Sequence, residues 1–448
     1  MLIATKVRLY PTSEQRRFIN GQFGAVRFCY NKAVALKRDL YRKKGISLSV
    51  NKEIKPLLSV AKKSRKYRWL SQYDSISLQE AVRHADTAYK RFFKKEARFP
   101  QFKSKRNRQS SYHCTSLSVG KDFIKIPKCE PIKAVIHRQI QGKVKSITVS
   151  RDRVGDYFAS ILSETPEKVP DKPTEVEESK VIGIDLGIKD FLTDSFNRTV
   201  DNPKELKSAL KELEKAHKEV SRKVKGSRRR SKAVSCLAKV YRKVSRKRED
   251  FQHKVSKRLI DENQAVIAES LKIKNMMHNR KLARTIADAG WGGFLSKLKY
   301  KAERSGKFFI QTDTFFPSSK TCPRCRYKFD GLTLAMRQWI CPKCGGLNLR
   351  DYAAAINIKR EGIVQLKAAG LAVLRRQAET HGGSVRPFNR KARAVEVRSL
   401  ARLGRGEVTL RALDKNQTKS GAARDSADYS NPNYGECLKF CVCPKFIT

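Results

Sequence analysis

The stretch Val181–Asp194, VIGIDLGIKDFLTD, constrains this chain more than any other. A short apolar run, Val181–Ile184, ends in the acidic Asp185. Gly187 follows two positions later, and a second apolar group comes after it. The pattern predicts a β-strand carrying Asp185, a tight turn through Gly187 and a second strand. A carboxylate among Val, Ile and Leu loses solvation, which is costly unless it is paired or bound to metal. The alternative is a surface Asp on an edge strand, and the rest of the chain decides between the two.

With 448 residues, 40% of them hydrophobic, the chain is long enough for two or three domains with cores of their own. Its 98 Lys and Arg against 43 Asp and Glu leave a net charge of +55, far beyond what solubility needs. A polyanion partner explains this excess, because each cation set against a phosphate releases a counterion. No run is long and apolar enough to span a bilayer, and the start, MLIATKVRLYP, lacks the features of a secretory leader. In an intracellular protein, 11 cysteines argue for metal before disulfides.

The alternating run Ile3–Tyr10 predicts a first strand ending at Pro11, and Thr12 or Ser13 can cap a helix after it. Helical spacing then continues to about Lys95, with Lys and Arg on the polar faces, so these helices are expected to hold nucleic acid. Short alternating runs at Phe123–Ile126, Ala134–His137, Ser146–Val149 and Tyr157–Leu162 predict a small β-barrel. The first strand can join it, which makes the helices an insertion. Residues 166–180, rich in Pro, Glu and Lys, read as a linker.

Pro203–Asp261 reads as one long or paired helical stretch, with 13 Lys or Arg and one acid from Ser221 to Glu249. Gln264–Leu271 predicts a buried strand ending in Glu269, Lys281–Arg304 an amphipathic helix, and Phe308–Phe316 another strand. Arg350 opens a last helix, expected to run to about Thr380. Cys322-x2-Cys325 and Cys341-x2-Cys344 stand 15 residues apart, the spacing of a zinc ribbon. Four thiolates close a tetrahedral site, so one Zn²⁺ is expected there in a structural role. Cys29, Cys114, Cys129 and Cys236 are scattered, and Cys437, Cys441 and Cys443 lack a fourth ligand nearby.

Three acids remain: Asp185 and Glu269 at strand ends, and Asp351 at a helix start. Together they resemble the acid set of RNase H-like nucleases, in which carboxylates hold two Mg²⁺ or Mn²⁺ ions about 4 Å apart for phosphodiester hydrolysis. The segments GIDLGIKD, AESLKIKNM, PSSKTCPRC, RQWICPKCG and RDYAAAINI then resemble, in order and spacing, the TnpB (OrfB-type) proteins of insertion sequences. So do KVRLYPTSEQ, LQEAVRHADTAYKRFF, FPQFKSKRNRQS and HRQIQGKVKSITVSR. The similarity spans about residues 1–362.

That resemblance implies an α/β fold with added β-barrel and helical parts. The implied layout is a β-barrel wedge domain at 1–10 and 101–165 and a helical recognition insertion at 11–100. The 166–180 linker follows, then a RuvC nuclease domain at 181–316 and 347–380 and a zinc ribbon at 317–346; past the similarity, the basic and then polar composition of 381–448 reads as a mostly disordered tail. It implies a metal-dependent, RNA-guided DNA endonuclease of a transposable element. Its partners would be a guide RNA from the transposon end and double-stranded target DNA beside a short recognised motif. Asp185, Glu269 and Asp351 carry over as catalytic metal ligands, and Cys322, Cys325, Cys341 and Cys344 as zinc ligands. The chain departs from the family at Leu347–Arg350, where a His and a further Asp are usual, and at Ala353, where an Asn is usual. The lost Asn is expected to weaken a contact to the metal ligands.

Candidate nucleic-acid contacts are Ser77, Gln79 and Arg83, with polar side chains suited to base edges, and Lys103, Lys105, Arg228, Arg229, Arg230, Arg246 and Arg350 for phosphates. A strand-joining transposase would need two His spaced two apart, and none of the seven His are. A nuclease-inactive RNA-guided DNA-binding regulator, or a transposition accessory protein, is the alternative reading, and such a protein would be expected to lose one of the acids. The expected location is the prokaryotic cytoplasm, at the nucleoid.

Overall fold

The computed structural model describes residues 1–104, 110–333 and 335–375. Strand β1 (Leu2–Tyr10) runs into Pro11, and Thr12 opens helix α1 (Ser13–Lys44) with a capping box. The Thr12 hydroxyl accepts from the Gln15 amide, and the Gln15 side chain accepts from the Thr12 amide. Helices α2 (Lys55–Lys63) and α3 (Ser75–Phe93) follow, α3 capped by Asp74. Their apolar faces, Phe23, Val26 and Tyr30 on α1 and Leu78, Val82 and Tyr89 on α3, share one core with the strands that follow.

Those strands are β2 (Ser110–Cys114), β3 (Ser118–Val119), β4 (Phe123–Lys125), β5 (Ile132–Val135), β6 (Lys143–Arg151) and β7 (Tyr157–Glu164). With β1 they form one sheet, ordered β2-β6-β7-β1-β5-β4-β3, in which β1 lies antiparallel to both β7 and β5. The chain therefore leaves the sheet after one strand, makes the helices and returns. The expected barrel is not closed. The sheet ends at β2 and β3 and curls as a half-barrel, because strands as short as β3 and β4 do not carry the ladder round.

Residues 166–180 are more ordered than a linker. They contain β8 (Glu175–Glu177), whose Val176 is fully buried. The predicted strand pair then appears as β9 (Val181–Leu186) and β10 (Asp190–Asp194), followed by β11 (Thr199–Asp201). The helices α4 (Glu205–Ser208), α5 (Leu210–Ser221) and α6 (Arg228–Glu262) follow, with α5 and α6 paired. Next come β12 (Ala265–Ala268), α7 (Ile273–Met276), α8 (Arg280–Ala289), α9 (Trp291–Arg304) and β13 (Phe308–Gln311). The single helix expected at Lys281–Arg304 is two, because Gly290 at φ 65° ends α8 in the left-handed region. Trp291, Phe294, Leu295 and Leu298 are buried as the periodicity predicts.

The hairpin β14 (Gln338–Ile340) and β15 (Leu347–Leu349) leads into α10 (Arg350–Ala368). That helix stops short of Thr380: Gly370 at φ 84° turns the chain into β16 (Ala372–Leu374), which pairs in parallel with β8. The second sheet is ordered β11-β10-β9-β12-β13, with β9, β12 and β13 parallel. Helix α10 covers it closely because two positions lack a side chain. A Cβ on Gly183 would stand 2.2 Å from the Ala355 carbonyl oxygen and 2.5 Å from the Lys359 nitrogen. A Cβ on Gly362 would stand 2.4 Å from the Ile267 side chain. Ala353, Ala354 and Ala355 are buried on the same helix.

Arg242 pins α6 to the first sheet. Arg242 on α6 reaches Asp152 at 3.0 Å and also Asp156, both at the β6–β7 turn, and Arg8 pairs with Asp156 at 2.7 Å. No described helix is long and apolar enough to cross a membrane. Residues 381–448, expected to be a disordered tail, lie outside the described residues.

Replacing Gly183 with Val is expected to push α10 off β9. Overpacking of this kind costs about 1–3 kcal/mol, and a lowered urea midpoint with an unchanged m-value checks it.

Candidate active site and four-cysteine ribbon

Parallel pairing places two of the acids side by side. Ile184 on β9 is level with Ala268 on β12, so Asp185 and Glu269 follow at the same end of neighbouring strands. The third arrives on α10, whose first turn holds Asp351, where a negative charge is also favoured by the helix dipole. The close crossing at Gly183 sets this approach.

The carboxylates feel one another. Desolvation, then the charges of Glu269 and Asp351, push Asp185 up to about 8, while Arg350 and Arg337 pull it back. Burial also raises Glu269, against the pull of Arg350. Arg337 pairs with Asp351 at 3.5 Å, and the Arg350 amide donates to the Arg337 carbonyl at 2.9 Å. A cluster of oxygen donors that holds protons for want of positive charge fits a hard divalent cation. Among the described residues, however, no three carboxylates close to the spacing the four cysteines reach.

The Sγ atoms of Cys322, Cys325, Cys341 and Cys344 all lie within 4.8 Å of one another, with Cys322–Cys344 at 3.7 Å and Cys325–Cys341 at 3.5 Å. Zn–S bonds of about 2.3 Å in a tetrahedron put sulfurs about 3.8 Å apart, so the set can hold zinc. Both knuckles are built alike. The Arg326 amide donates to the Cys322 carbonyl at 3.0 Å and the Gly345 amide to the Cys341 carbonyl at 2.8 Å, with Arg326 and Gly345 both at φ 64°. Burial raises the Cys322 thiol, but the Cys325 and Arg324 amides and the thiols of Cys341 and Cys344 outweigh it and bring it down to about 6. Elsewhere burial pushes Cys29 and Cys114 up to about 12, leaving them unreactive as thiolates.

Several residues that join ribbon and acids were not singled out from sequence. Asn357, buried on α10, donates to the carbonyls of Ser318 at 2.8 Å and Thr321 at 2.7 Å, and Arg360 donates to the Pro323 carbonyl. Asn348 donates to the Gly346 carbonyl at 3.0 Å and toward Cys322 Sγ at 3.8 Å. Arg337 and Asn357 both sit in motifs quoted above, but nothing in a linear reading aims Arg337 at Asp351.

The candidate contact residues divide. Ser77 does not face a base: it is buried, and its hydroxyl and amide both donate to Asp74, capping α3. Gln79 is half-buried, and Arg83 is exposed beside Glu80. Lys103 is exposed, with its Nζ 4.1 Å from the Tyr30 ring centroid. Arg228, Arg229 and Arg246 are exposed on α6. Arg230 instead ties the α5–α6 hairpin together, donating to the carbonyls of Val220 at 2.7 Å and Lys223 at 3.1 Å. Arg350 is half-buried beside the acids, and Lys105 lies outside the described residues.

The chain is thus a half-barrel with inserted helices joined to an α/β sheet that has Asp185 and Glu269 at neighbouring strand ends, Asp351 on the helix that covers it, and a four-cysteine ribbon. It belongs to the TnpB (OrfB-type) family. A family profile described as "Probable transposase" matches residues 164–280, one described as "Cas12f1-like, TNB domain" matches 291–358, and one described as "Helix-turn-helix domain" matches 1–45. A "Putative RNA-guided DNA endonuclease" of Streptomyces pristinaespiralis is 34% identical over 397 residues, covering 87% of this chain and 97% of that protein. The "Putative RNA-guided DNA endonuclease InsQ" of Escherichia coli K12 is 25% identical, covering 83% and 93%. A solved Cas12f1–sgRNA–target DNA complex overlays on 80% of this chain and 98% of its own with a TM-score of 0.48 and 13% identity.

Two expectations follow. The proton that folded Asp185 holds up to about pH 8 is lost from the unfolded chain near its ordinary value of 3.8. This group's contribution to stability therefore falls as pH rises between those values. A divalent ion must displace the same proton, so Mn²⁺ affinity by calorimetry is expected to rise by at most about tenfold per pH unit toward pH 8, then level off. Cys341→Ser is expected to lose bound zinc, measured by elemental analysis, and to loosen the ribbon.

Proposed function

We propose that this protein is an RNA-guided DNA endonuclease of a transposable element, cutting target DNA at Asp185, Glu269 and Asp351. The carrying observation is the placement of these three carboxylates, at the neighbouring ends of β9 and β12 and on the first turn of α10, where desolvation and then the charges of Glu269 and Asp351 raise the Asp185 carboxyl. An acid cluster that costly is retained where a cation repays it. The names of the Streptomyces and Escherichia relatives support the same reading.

Two Mg²⁺ or Mn²⁺ ions bound by these acids would activate water and neutralise the leaving 3′ oxygen. The chain's own residues do the rest. Asp185 and Glu269 sit on rigid neighbouring strands, and α10 presents Asp351 to them. Arg337 and Arg350 add positive charge at the rim, suited to orienting a phosphate. The ribbon, holding zinc, fixes Arg337 against Asp351 through its attachment to α10.

The half-barrel serves as the wedge domain, the inserted helices as the recognition element and the second sheet as a RuvC-type nuclease domain. Guide RNA from the transposon end pairs with one strand of the double-stranded target, so the protein itself reads a short adjacent motif. Arg83, Lys103 and the exposed arginines of α6 supply phosphate contacts within a net charge of +55. The site of action is the prokaryotic cytoplasm, at the nucleoid. An inactive regulator is disfavoured, because all three acids are present and coupled.

The protein with its co-purifying RNA is expected to cut matched duplex DNA with Mg²⁺. Asp185→Ala is expected to slow cutting by more than about a thousandfold while duplex binding stays within about twofold in a gel-shift titration. Binding is also expected to weaken steeply with salt. Equal cutting by wild type and variant would overturn the assignment.

A further inference from the structure

The end of the sheet that carries Asp185 and Glu269 also carries an aromatic ring with no role so far. β13 runs beside β12 with Gln311 level with Ala268, and the Thr312 amide donates to the Ala268 carbonyl at 3.0 Å. The chain thus leaves β13 at the level where it reaches Glu269 on β12. Three residues later stands Phe315, 82% exposed, the highest figure among the exposed large hydrophobics of the described residues.

The backbone that carries the ring is fixed by a turn. Asp313 forms the turn beneath it, its Oδ1 accepting from the Phe315 amide at 3.3 Å and its carbonyl from the Phe316 amide at 3.2 Å. Lys272, three residues beyond Glu269, sets its Nζ 4.5 Å from the Phe315 ring centroid. An open aromatic surface and an ammonium therefore border the acids together.

Their pairing selects a partner. A largely exposed ring with a lysine ammonium against it matches a nucleobase with its attached phosphate. An apolar protein side chain would use the ring and leave the ammonium idle. A base inside a duplex has both faces stacked already, so the base in question must be unpaired.

We propose that Phe315 and Lys272 form a stacking platform for an unpaired base of the DNA strand entering the acid cluster. Phe315 takes the base face and Lys272 an adjacent phosphate, and together they set which phosphodiester lies over Asp185 and Glu269. The proposal rests on the nuclease reading, but its main test does not depend on cutting.

In the full-length protein–RNA complex carrying Asp185→Ala, 2-aminopurine is placed at successive positions of each target strand. Quenching is expected at one or two positions of one strand. Adding Phe315→Ala should restore that fluorescence, and adding Phe315→Trp should keep it quenched. With Asp185 intact, Phe315→Ala is expected to slow cutting by about 5- to 150-fold, the range base–aromatic stacking supplies, and Phe315→Trp to cut within about twofold of wild type. Lys272→Met should lower the log–log salt slope of single-strand binding by about 0.7. Unchanged thermal unfolding of Phe315→Ala would show that the effect is local. No quenched position, or quenching that survives Phe315→Ala, overturns the platform whether or not the protein cuts. Failure of the wild type to cut, with the quenching pattern as expected, overturns the nuclease reading and leaves the platform standing.

Discussion

Everything functional in this fold depends on how closely α10 lies on β9. The helix backbone approaches to where even a methyl group on Gly183 would collide with the Ala355 carbonyl, and Gly362 permits the same intimacy with Ile267. Three buried alanines complete that face. The close fit brings Asp351 from a distant part of the sequence to two acids on the sheet. It also fixes the ribbon, since Asn357 and Arg360 on the same helix hold the first cysteine knuckle by its carbonyls. Acids, ribbon and Arg337 are therefore one mechanical unit.

Electrostatics gives that unit its direction. At the end of the sheet, desolvation and then the charges of Glu269 and of Asp351 on α10 raise the Asp185 carboxyl. Arg350 and Arg337 offset it locally, in a chain that as a whole carries +55. The cations are instead spread over the helices, and Arg242 anchors the longest of these to the β6–β7 turn of the first sheet. Acids gathered on a basic body suit a polyanion held by the surface and a cation held by the acids.

The sequence makes some of this legible and hides the rest for physical reasons. Asp185 and Glu269 stand out because apolar runs end at each of them, while the parallel pairing that sets them level joins strands far apart in the sequence and is not written in either run. The cysteine knuckles are readable from spacing alone. Asp351 is readable only through resemblance, because its approach depends on two glycines that look unremarkable in the sequence. The break at Gly290 is hidden inside a continuous amphipathic pattern, since periodicity survives a change of helix axis. The end of α10 lies earlier than its pattern suggests because β16 finds its partner, β8, in a segment whose Pro, Glu and Lys content resembles a linker. Ser77 reads as available for a base because a linear sequence does not show that its hydroxyl belongs to Asp74.

The central claim is that three separate elements build one cutting centre, and Asp351 is the member that only the fold delivers. The most direct measurement is the strand-cutting rate of the purified protein–RNA complex on matched duplex DNA in Mg²⁺, with Asp351→Asn beside wild type and binding measured in parallel. The account predicts that the variant binds the duplex as wild type does and cuts at least about a thousandfold more slowly. Cutting by Asp351→Asn at the wild-type rate would show that α10 contributes nothing to the reaction, and the account would fail.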